Sequence, residues 1–278
     1  MSYPIIFKQQ LSEQVFALRV QAPQIAAGAL PGQFAILRIN EEGERFPLTL
    51  ADWSAEEGWI FLVFQVVGKS TFTLSKLEVG DELKDVVGPL GLPSEIEKYG
   101  RVICVGGGIG IAALYPIARA LRPAGNRVDS IIGARSQELL ILEKEMEEVS
   151  NSLTIMTDDG SKGTKGLVTW AMENELKGEG ADLVLAIGPA IMMKFASAVT
   201  APFKVPTRVS LNSIMLDGTG MCGTCRVEVC GKTRFACVEG PEFDGNEVDW
   251  NLLLNRLGQY KPEEALSYEQ ARTGCCQA

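Results

Sequence analysis

A cysteine-rich stretch near the C-terminus holds the residues of this chain best suited to metal chemistry. It reads LDGTGMCGTCRVEVCGKTRFAC over residues 216–237. Plant-type 2Fe–2S sites use the spacing C-x4-C-x2-C followed by a distant fourth cysteine. Here Asp217, Cys222 and Cys225 have the spacing D-x4-C-x2-C, and Cys237 follows after eleven further residues. The spacing therefore predicts a 2Fe–2S cluster with one carboxylate and three thiolate ligands.

Cys230 is the competing fourth ligand. The run RVEVCGKTRFAC predicts a β-hairpin that turns at residues 230–232, with Cys230 at the tip and Cys237 on the return strand. A hairpin tip points away from the glycine-rich loop DGTGMCG, whose backbone amides can surround a cluster. Asp217 is therefore favoured over Cys230. The alternative is a zinc ribbon made of the four cysteines, but its inner spacing is short and it gives Asp217 no role.

The remaining composition excludes several kinds of site. The chain has no histidine, which removes the usual general base, the usual zinc ligand and the Rieske type of cluster. The chain has seven cysteines, an odd number, and no secretion signal, so the cluster of four indicates metal or redox chemistry rather than a disulfide framework. Cys104 stands in a strand-like run and is expected to be a small core residue. Cys275 and Cys276 belong to a polar tail that is expected to be disordered.

Length and charge limit the partners and the compartment. The chain has 278 residues and a formal charge of −9, with its basic residues scattered. That pattern argues against nucleic acid or an anionic membrane surface as a partner. The apolar runs at 102–105 and 183–187 are too short to span a bilayer, and the start MSYPIIFKQQ lacks a signal-peptide layout. We expect a cytoplasmic protein of two or three domains.

Three successive patterns predict the elements that position these residues. Residues 1–97 alternate short apolar runs with glycine turns, which predicts a small antiparallel β-barrel. Residues 98–209 alternate strands and helices at the spacing of a doubly wound parallel sheet. Residues 210–278 hold the cysteine-rich hairpin, an amphipathic helix near 248–260 and a tail. The predicted fold class is therefore a β-barrel followed by an α/β domain and a small metal-binding domain.

A glycine turn closes the first strand of the alternating domain. Residues 108–113 fit G-x-G-x-x-A, a pattern that brings backbone amides and a helix N-terminus to a pyrophosphate. The alternative is a tight turn that only needs small residues. A second corner, GPAIMMK, puts Gly188 and Met192 at the ligand-binding edge of the sheet, although methionines there also suit helix packing. After the second strand, GARS offers Arg135 rather than an acidic residue, so NADH and NADPH both remain open.

Two barrel segments carry groups suited to a phosphate-bearing cofactor. The first, ERFPLTLAD, puts four residues on a strand edge: Arg45, Pro47, Leu48 and Thr49. The second, VVGKST, supplies a turn before a helical run: Gly68, Lys69, Ser70 and Thr71. Hydroxyls and amides at the start of a helix suit a phosphate. The alternative for the second segment is a hairpin turn with a solvated lysine.

The order of these motifs resembles the ferredoxin–NADP reductase superfamily, in which FAD lies on the barrel and a nicotinamide nucleotide enters along the sheet edge. The succession RFPLT, VVGKST, GPLG, VGGGIG, GARS, DDGS, GPAIMMK, LDGTGMCGTC and ACVEGPEFDG covers nearly the whole chain. It is similar to the family of small subunits of NADH-dependent reduced ferredoxin:NADP+ oxidoreductases, also called sulfide dehydrogenase subunits. The alternative is the dihydroorotate dehydrogenase electron-transfer subunit, which typically has cysteine in place of Asp217.

The resemblance implies a role for each motif. The isoalloxazine of FAD would be lined by Arg45, Pro47, Leu48 and Thr49. The FAD pyrophosphate would be held by Gly68, Lys69, Ser70 and Thr71. The nicotinamide-nucleotide side would be lined by Gly107, Gly108, Gly110, Arg135, Asp159, Gly188 and Met192. Residues 1–97, 98–209 and 210–278 would then be the FAD-binding, NAD(P)-binding and 2Fe–2S domains.

The resemblance also implies an oxidoreductase subunit. A hydride would pass between NAD(H), with NADP(H) as the alternative, and FAD, and single electrons would leave through the cluster. The implied partner is a larger subunit with FAD and 4Fe–4S clusters, which forms a heterodimer and couples NADH, NADPH and ferredoxin by electron bifurcation. The partner rather than this chain would meet ferredoxin. The alternatives from other classes are a flavin-free dehydrogenase and a zinc-stapled binding module.

Overall fold

An antiparallel sheet in the N-terminal region curves into a nearly closed barrel, as predicted. The computed structural model describes residues 2–274. The barrel region contains β1 (Tyr3–Ser12), β2 (Val15–Gln21), α1 (Pro23–Gly28), β3 (Phe34–Arg38), β4 (Phe46–Ser54), β5 (Trp59–Gln65), α2 (Lys69–Lys76), β6 (Glu82–Leu83) and β7 (Asp85–Leu90). The strand order is β6-β1-β2-β5-β4-β3-β7. Leu18, Leu62 and Phe64 are buried in its core, and β-branched and aromatic residues favour such pleated, half-buried strands.

The barrel strand β4 changes partners along its length. Phe46 to Thr49 pair with β3, where Ile36 lies opposite Pro47. Pairing with β5 begins only at Leu50, which lies opposite Leu62. The first half of β4 is therefore a free edge on the side that faces the end of β5.

The central region is a doubly wound parallel sheet, which confirms the α/β prediction. Its elements are β8 (Arg101–Gly107), α3 (Gly110–Leu121), β9 (Arg127–Ala134), α4 (Glu143–Val149), β10 (Ser152–Thr157), β11 (Thr164–Lys165), α5 (Val168–Gly178), β12 (Leu183–Ile187), α6 (Ala190–Thr200) and β13 (Thr207–Ser210). Alternate residues of β8 point to opposite faces. Ile103 packs with the core on the α5 and α6 side, whereas Cys104 packs with the core on the α3 side.

Cys104 is a core residue, as its sequence context predicts. Its side chain is fully buried, and this burial raises the pKa of the Cys104 thiol to about 12. A thiol with so high a pKa is neutral and unreactive at neutral pH.

The C-terminal region packs against both preceding sheets. It contains β14 (Arg226–Val229), β15 (Lys232–Phe235), α7 (Ala236–Glu239), β16 (Glu242–Asp244), α8 (Trp250–Leu257) and α9 (Lys261–Thr273). β14 and β15 form the predicted hairpin. β16 joins the parallel sheet as an antiparallel strand beside β13. The three-domain division of the chain stays a prediction.

Of the two C-terminal helices, α8 matches the sequence expectation and α9 does not. α8 lies within the predicted amphipathic segment, and its Trp250 and Leu253 are buried in the core. α9 occurs where the sequence pattern predicts only a tail, and Pro262 stands in its first turn, a position that suits proline. Cys275 and Cys276 lie outside the described residues. No helix within residues 2–274 is long and apolar enough to cross a membrane.

Polar contacts fix the barrel against the other two regions. The Arg119 guanidinium of α3 lies 2.7 Å from the Asp52 carboxylate of β4. The Leu92 amide after β7 donates to the Gly240 carbonyl before β16 at 2.6 Å. The barrel is thereby held against the nucleotide sheet and the cysteine-rich region.

Candidate redox site

A cavity of about 640 Å³ opens at the carboxyl edge of the parallel sheet. Some of the residues predicted for the nucleotide side line it, namely Gly107, Gly108, Arg135 and Met192. The opposite wall comes from the barrel, through Val15, Gln65 and Val67. Ligands of open α/β sheets bind at this edge, so the cavity has the location expected of a nucleotide site and reaches the barrel.

Gly110 and Gly188 shape the cavity although they lie behind its wall. An added Cβ at Gly110 would lie 2.4 Å from the Ile187 carbonyl oxygen and 2.6 Å from the Gly188 Cα. Such distances are too short for any side chain. The two glycines therefore let the N-terminus of α3 approach the end of β12 at the edge of the cavity.

Asp159 does not line the cavity. Its carboxylate accepts hydrogen bonds from the Ser161 amide at 2.9 Å and the Ser161 hydroxyl at 2.6 Å. These bonds lower the pKa of Asp159 and stabilise the turn that follows β10. The side chain predicted to line the nucleotide side is thus engaged in its own turn.

The neighbouring Asp158 lines the cavity instead, and the sequence analysis missed it. β9 and β10 are parallel neighbours, with Thr157 opposite Ala134. The next residue on each strand, Asp158 and Arg135, therefore stand side by side at the cavity wall. The sequence holds one indication of this role, since Asp158 is the first residue after β10 and so lies at the ligand-binding edge of the sheet.

The two segments predicted for FAD face each other across the gap between β4 and β5. Leu50 lies opposite Leu62, so a continued antiparallel register would set Pro47 opposite Gln65. The strands instead separate there. Pro47, Leu48 and Thr49 are half-buried on β4, Arg45 is exposed just before it, and α2 begins shortly after β5 ends.

The turn before α2 is held by one of its own hydroxyls. Thr71 Oγ1 accepts the amides of Val67 at 3.0 Å and Gly68 at 3.1 Å. Lys69 and Ser70 form the first turn of α2, where backbone amides have no partner within the helix. The local structure therefore presents amides, a hydroxyl and an ammonium group at the end of the gap, which fits a pyrophosphate.

Cys225 and Cys237 form the buried part of the predicted metal site. Cys225 directly precedes β14, and Cys237 lies just after β15. The hairpin brings their sulfur atoms to 3.1 Å from each other. Burial, then the adjacent Cys225, raise the pKa of the Cys237 thiol to about 12, with Cys222 adding to the rise and the Gly220 amide acting against it.

Cys222 and Asp217 belong to the exposed part of the same loop. The Thr224 hydroxyl and amide lower the pKa of the Cys222 thiol, and the Asp217 amide contributes. The Asp217 carboxylate accepts from the Thr219 hydroxyl, from the Thr219 amide at 3.1 Å and from the Met221 amide at 3.3 Å. These bonds and the Arg45 cation lower the pKa of Asp217. Loop amides thus reach Cys222 and Cys237, as the glycine-rich sequence predicts.

Cys230 lies at the far end of the hairpin, in the turn, with a φ of 53°. A strand advances about 3.4 Å per residue, so β14 separates Cys230 from the open end of the hairpin by roughly 14 Å. Its amide donates to the Glu247 carbonyl at 2.8 Å. A zinc ribbon would need Cys230 beside the other three cysteines, and the hairpin holds it away from them.

The structure assembles the predicted ligand set only in part. Among residues 2–274, no three Cys, Asp or Glu side chains converge to hold a metal ion. The sulfur atoms of Cys225 and Cys237 lie 3.1 Å apart, whereas the side chains of Cys222 and Asp217 remain on the loop beside them. The donor set nevertheless fits an iron–sulfur cluster, because the loop carries Asp217, Cys222 and Cys225, the hairpin returns Cys237 to Cys225, and loop amides reach Cys222 and Cys237.

The cysteine-rich loop lies directly on the barrel. An added Cβ at Gly218 would lie 2.7 Å from Leu90 Cδ1 and 2.8 Å from Ile36 Cγ1. Ile36 is on β3, where it pairs with Pro47 of β4. The nucleotide cavity, the gap beside β4 and the cysteine-rich loop therefore meet the adjacent strands β5, β4 and β3 in that order.

A gap between two strands of an antiparallel barrel, a nucleotide cavity and a cysteine-rich loop together define a flavin-dependent oxidoreductase of the ferredoxin–NADP reductase type. Residues 104–198 match the oxidoreductase NAD-binding domain. Residues 212–249 match the iron-sulfur cluster binding domain of dihydroorotate dehydrogenase B.

Relatives that match nearly the whole chain identify a family within this class of oxidoreductases. The dihydroorotate dehydrogenase B electron transfer subunit homolog of Thermotoga maritima is 53% identical over 96% of this chain and 94% of its own. The dihydroorotate dehydrogenase B electron transfer subunit of Desulforamulus reducens is 33% identical over 86% and 94%. The chain therefore belongs to this family of electron-transfer subunits. FAD, an iron–sulfur cluster and NAD(H) are its cofactors.

Comparison with solved structures supports the assignment to this family. A structure of an NADH-dependent reduced ferredoxin-NADP oxidoreductase, solved in a study of flavin-based electron bifurcation, matches with 50% identity and a TM-score of 0.93, and covers 97% of this chain and 98% of that chain. Phthalate dioxygenase reductase matches at 17% identity with a TM-score of 0.57, over 83% and 86%, and this likeness concerns the fold. The resemblance to the ferredoxin–NADP reductase superfamily is confirmed.

Proposed function

We propose that the chain moves electrons between NAD(H) and a 2Fe–2S cluster through FAD, and passes them to a larger subunit in an electron-bifurcating complex of NADH, NADPH and ferredoxin. The observation that carries this proposal is the order of the three sites along β5, β4 and β3. Gln65 borders the nucleotide cavity, Pro47 borders the gap, and Ile36 contacts the cysteine-rich loop. Neighbouring strands lie about 4.8 Å apart, so the sites are in close succession.

The residues proposed to hold FAD would mainly bind and orient the cofactor. Pro47, Leu48 and Thr49 would present the free backbone edge of β4 to the isoalloxazine, and Arg45 would supply a cation beside it. Lys69 and Ser70, with the first amides of α2, would bind the pyrophosphate. When bound, FAD supplies the conversion between two-electron hydride transfer and one-electron transfer.

Asp158 supports a preference for NADH. Its carboxylate lines the cavity beside Arg135. A carboxylate accepts hydrogen bonds from a ribose diol and repels a 2′-phosphate, whereas an arginine attracts the phosphate. Because Arg135 also reaches the wall, the preference depends on the balance between these two side chains.

The proposed ligands of the 2Fe–2S cluster are Asp217, Cys222, Cys225 and Cys237. The buried pair, Cys225 and Cys237, would hold the inner side of the cluster. Cys222 and Asp217 would complete the set from the exposed side of the loop. A carboxylate is a harder donor than a thiolate, so Asp217 is expected to set the reduction potential and the lability of its iron.

An exposed apolar surface supports a partner at the cluster end. Leu216, Met221 and Val238 surround the loop, and their side chains are 47%, 89% and 40% exposed. Contiguous apolar side chains at a surface mark an interface. We propose that the larger subunit, with FAD and 4Fe–4S clusters, covers this surface and forms a heterodimer. The free thiols of the described residues fit a reducing cytoplasm.

The second candidate is an electron-transfer subunit for dihydroorotate oxidation. The family match at residues 212–249 and the names of the relatives favour it. Its complex would contain a partner that oxidises dihydroorotate. The two functions differ in the partner and not in the internal electron path.

Anaerobic purification from the native host, with iron, acid-labile sulfide, flavin and partner measured together, tests the function. We expect a co-purified subunit with flavin and 4Fe–4S clusters, and one FAD and two irons on this chain once the two subunits are separated. A dihydroorotate-oxidising partner would decide for the second candidate. Zinc in place of iron and sulfide would contradict both.

A further inference from the structure

The C-terminal helix α9 returns to the barrel and packs along α2, which is the helix proposed to bind the FAD pyrophosphate. The Tyr268 ring meets the Phe72 ring edge-on, with centroids 5.7 Å apart and planes at 72°. Tyr268 also packs against the hydrophobic core of the barrel. α9 thus connects the far end of the chain to the first domain.

The contact depends on a narrow face of α9. Ser267, Tyr268 and Ala271 are half-buried, with the spacing of neighbours on one helical face. No residue of α9 within the described part of the chain is fully buried. Leu266, on the same helix, is 61% exposed. Tyr268 is therefore the main apolar anchor of α9.

α2 is a helix that needs such support. It spans Lys69–Lys76, and isolated helices of this length are marginal in water. Leu74 is fully buried and anchors the inner face of α2. Phe72 follows Thr71 in the chain and its amide donates to the Gly68 carbonyl at 2.9 Å. The position of the Phe72 ring therefore affects the conformation of the turn that contains Gly68, Lys69 and Ser70.

We propose that α9 is a brace for FAD, with Tyr268 as a positioning residue that holds α2 in the conformation that retains the pyrophosphate. The inference rests on the proposed FAD site and adds a residue that touches neither the flavin nor the nucleotide. By linkage, bound FAD must stabilise α9 to the same extent that α9 stabilises bound FAD.

Release of FAD from the purified holoprotein, followed by flavin fluorescence after dilution, tests the brace. An aromatic pair contributes enough stability that Tyr268→Ala should release FAD about three- to tenfold faster. Tyr268→Phe keeps the ring and should release FAD at the unmodified rate. Leu266→Ala, on the exposed side of α9, is the matched control and should also leave the rate unchanged.

Hydrogen exchange gives a second readout, in the unmodified protein and in Tyr268→Ala. FAD should slow exchange of the α9 amides, and this protection should be absent in Tyr268→Ala. A folded Tyr268→Ala protein that retains FAD like the unmodified protein overturns the brace, as does equal acceleration by Leu266→Ala. If Lys69→Ala and Ser70→Ala leave FAD retention unchanged, the pyrophosphate site itself is wrong.

Discussion

The nucleotide cavity and the cysteine-rich loop reach the same barrel by different means. The cavity is shaped by backbone: Gly110 and Gly188 allow α3 and β12 to meet at distances that no side chain permits. The loop is shaped by side-chain donors, of which Cys225 and Cys237 are adjacent and Cys222 and Asp217 lie outside them. The geometry of the nucleotide cavity is determined by backbone packing, and the geometry of the metal site is determined by a few ligand side chains.

This difference determines how each site responds to substitution. A backbone-defined site fails when volume is added at the contact between its elements, because the packed backbone has no room to adjust. A donor-defined site fails when a ligand is removed or when its loop is displaced from the barrel, and it tolerates changes at exposed neighbours that carry no donor. Substitutions in the two regions should therefore have different consequences.

Gly110→Ala should have the largest effect. The new Cβ would overlap the Ile187 carbonyl and Gly188, and overpacking of this kind costs about 3 kcal/mol of unfolding free energy. NADH binding should be lost together with stability. Denaturant unfolding and NADH titration measure the two effects.

Gly178→Ala is the matched control for Gly110→Ala. Gly178 ends α5, and an added Cβ there would meet no atom within 4 Å. Replacing a helical glycine by alanine stabilises by about 0.5–1 kcal/mol. Similar losses in the two variants would contradict the account of a backbone-defined cavity.

Asp158→Asn should change the nucleotide preference. Loss of a charged hydrogen bond to the ribose, worth about 2 kcal/mol, corresponds to roughly a 30-fold shift in the ratio of kcat/KM from NADH towards NADPH. Asp159→Asn is the matched control, because that side chain supports its own turn. A shift in the control alone would assign the ribose contact to Asp159, which the family resemblance places on the nucleotide side.

Gly218→Ala should move the cysteine-rich loop away from the barrel. Its Cβ would overlap Leu90 and Ile36, and its φ is 80°. Gly231→Ala is the control that separates steric overlap from the strain of a positive φ. Gly231 has a φ of 66°, but an added Cβ would meet nothing within 4 Å. Gly218→Ala should cost about 1–2 kcal/mol more than the control and should slow cluster reduction by NADH in stopped-flow experiments. Equal costs would mean that the loop does not rest on the barrel.

Ser213→Ala should have the smallest effect, and it should be stabilising. Ser213 stands where the chain enters the cysteine-rich region, and its buried hydroxyl lacks a partner within the described residues. Removing an unsatisfied buried polar group is expected to raise the free energy of unfolding by about 1 kcal/mol. Chemical denaturation measures it, and a loss of stability would show that the hydroxyl is in use.

The sequence predicts the parts of the site that depend on local patterns. Glycine turns need small residues at fixed positions, so the spacing of Gly108 and Gly110 after a buried strand predicts the nucleotide turn. The hairpin at Cys230 follows from a short apolar alternation around a turn. Such features depend on neighbours in the chain, which a sequence displays directly.

The parts that escaped prediction depend on contacts between distant segments. Asp158 was missed because only the pairing of β9 with β10 brings it beside Arg135. The free edge of β4 appears only when its register with β5 is known. The segment KPEEALSYEQART predicts only a tail because it has few apolar residues. Its alanine, glutamate and arginine nevertheless favour a helix, and Tyr268 packs against Phe72 of the barrel region.

The ligand set of the cluster is the central claim, and one measurement tests it most directly. Iron, acid-labile sulfide and reduction potential are compared in the anaerobically purified protein and in its Asp217→Cys and Cys230→Ser variants. The account predicts two irons and two sulfides per chain in all three proteins, with a shifted potential only in Asp217→Cys, because a thiolate replaces a harder carboxylate donor. Loss of the cluster in Cys230→Ser, or an unchanged potential in Asp217→Cys, would contradict it.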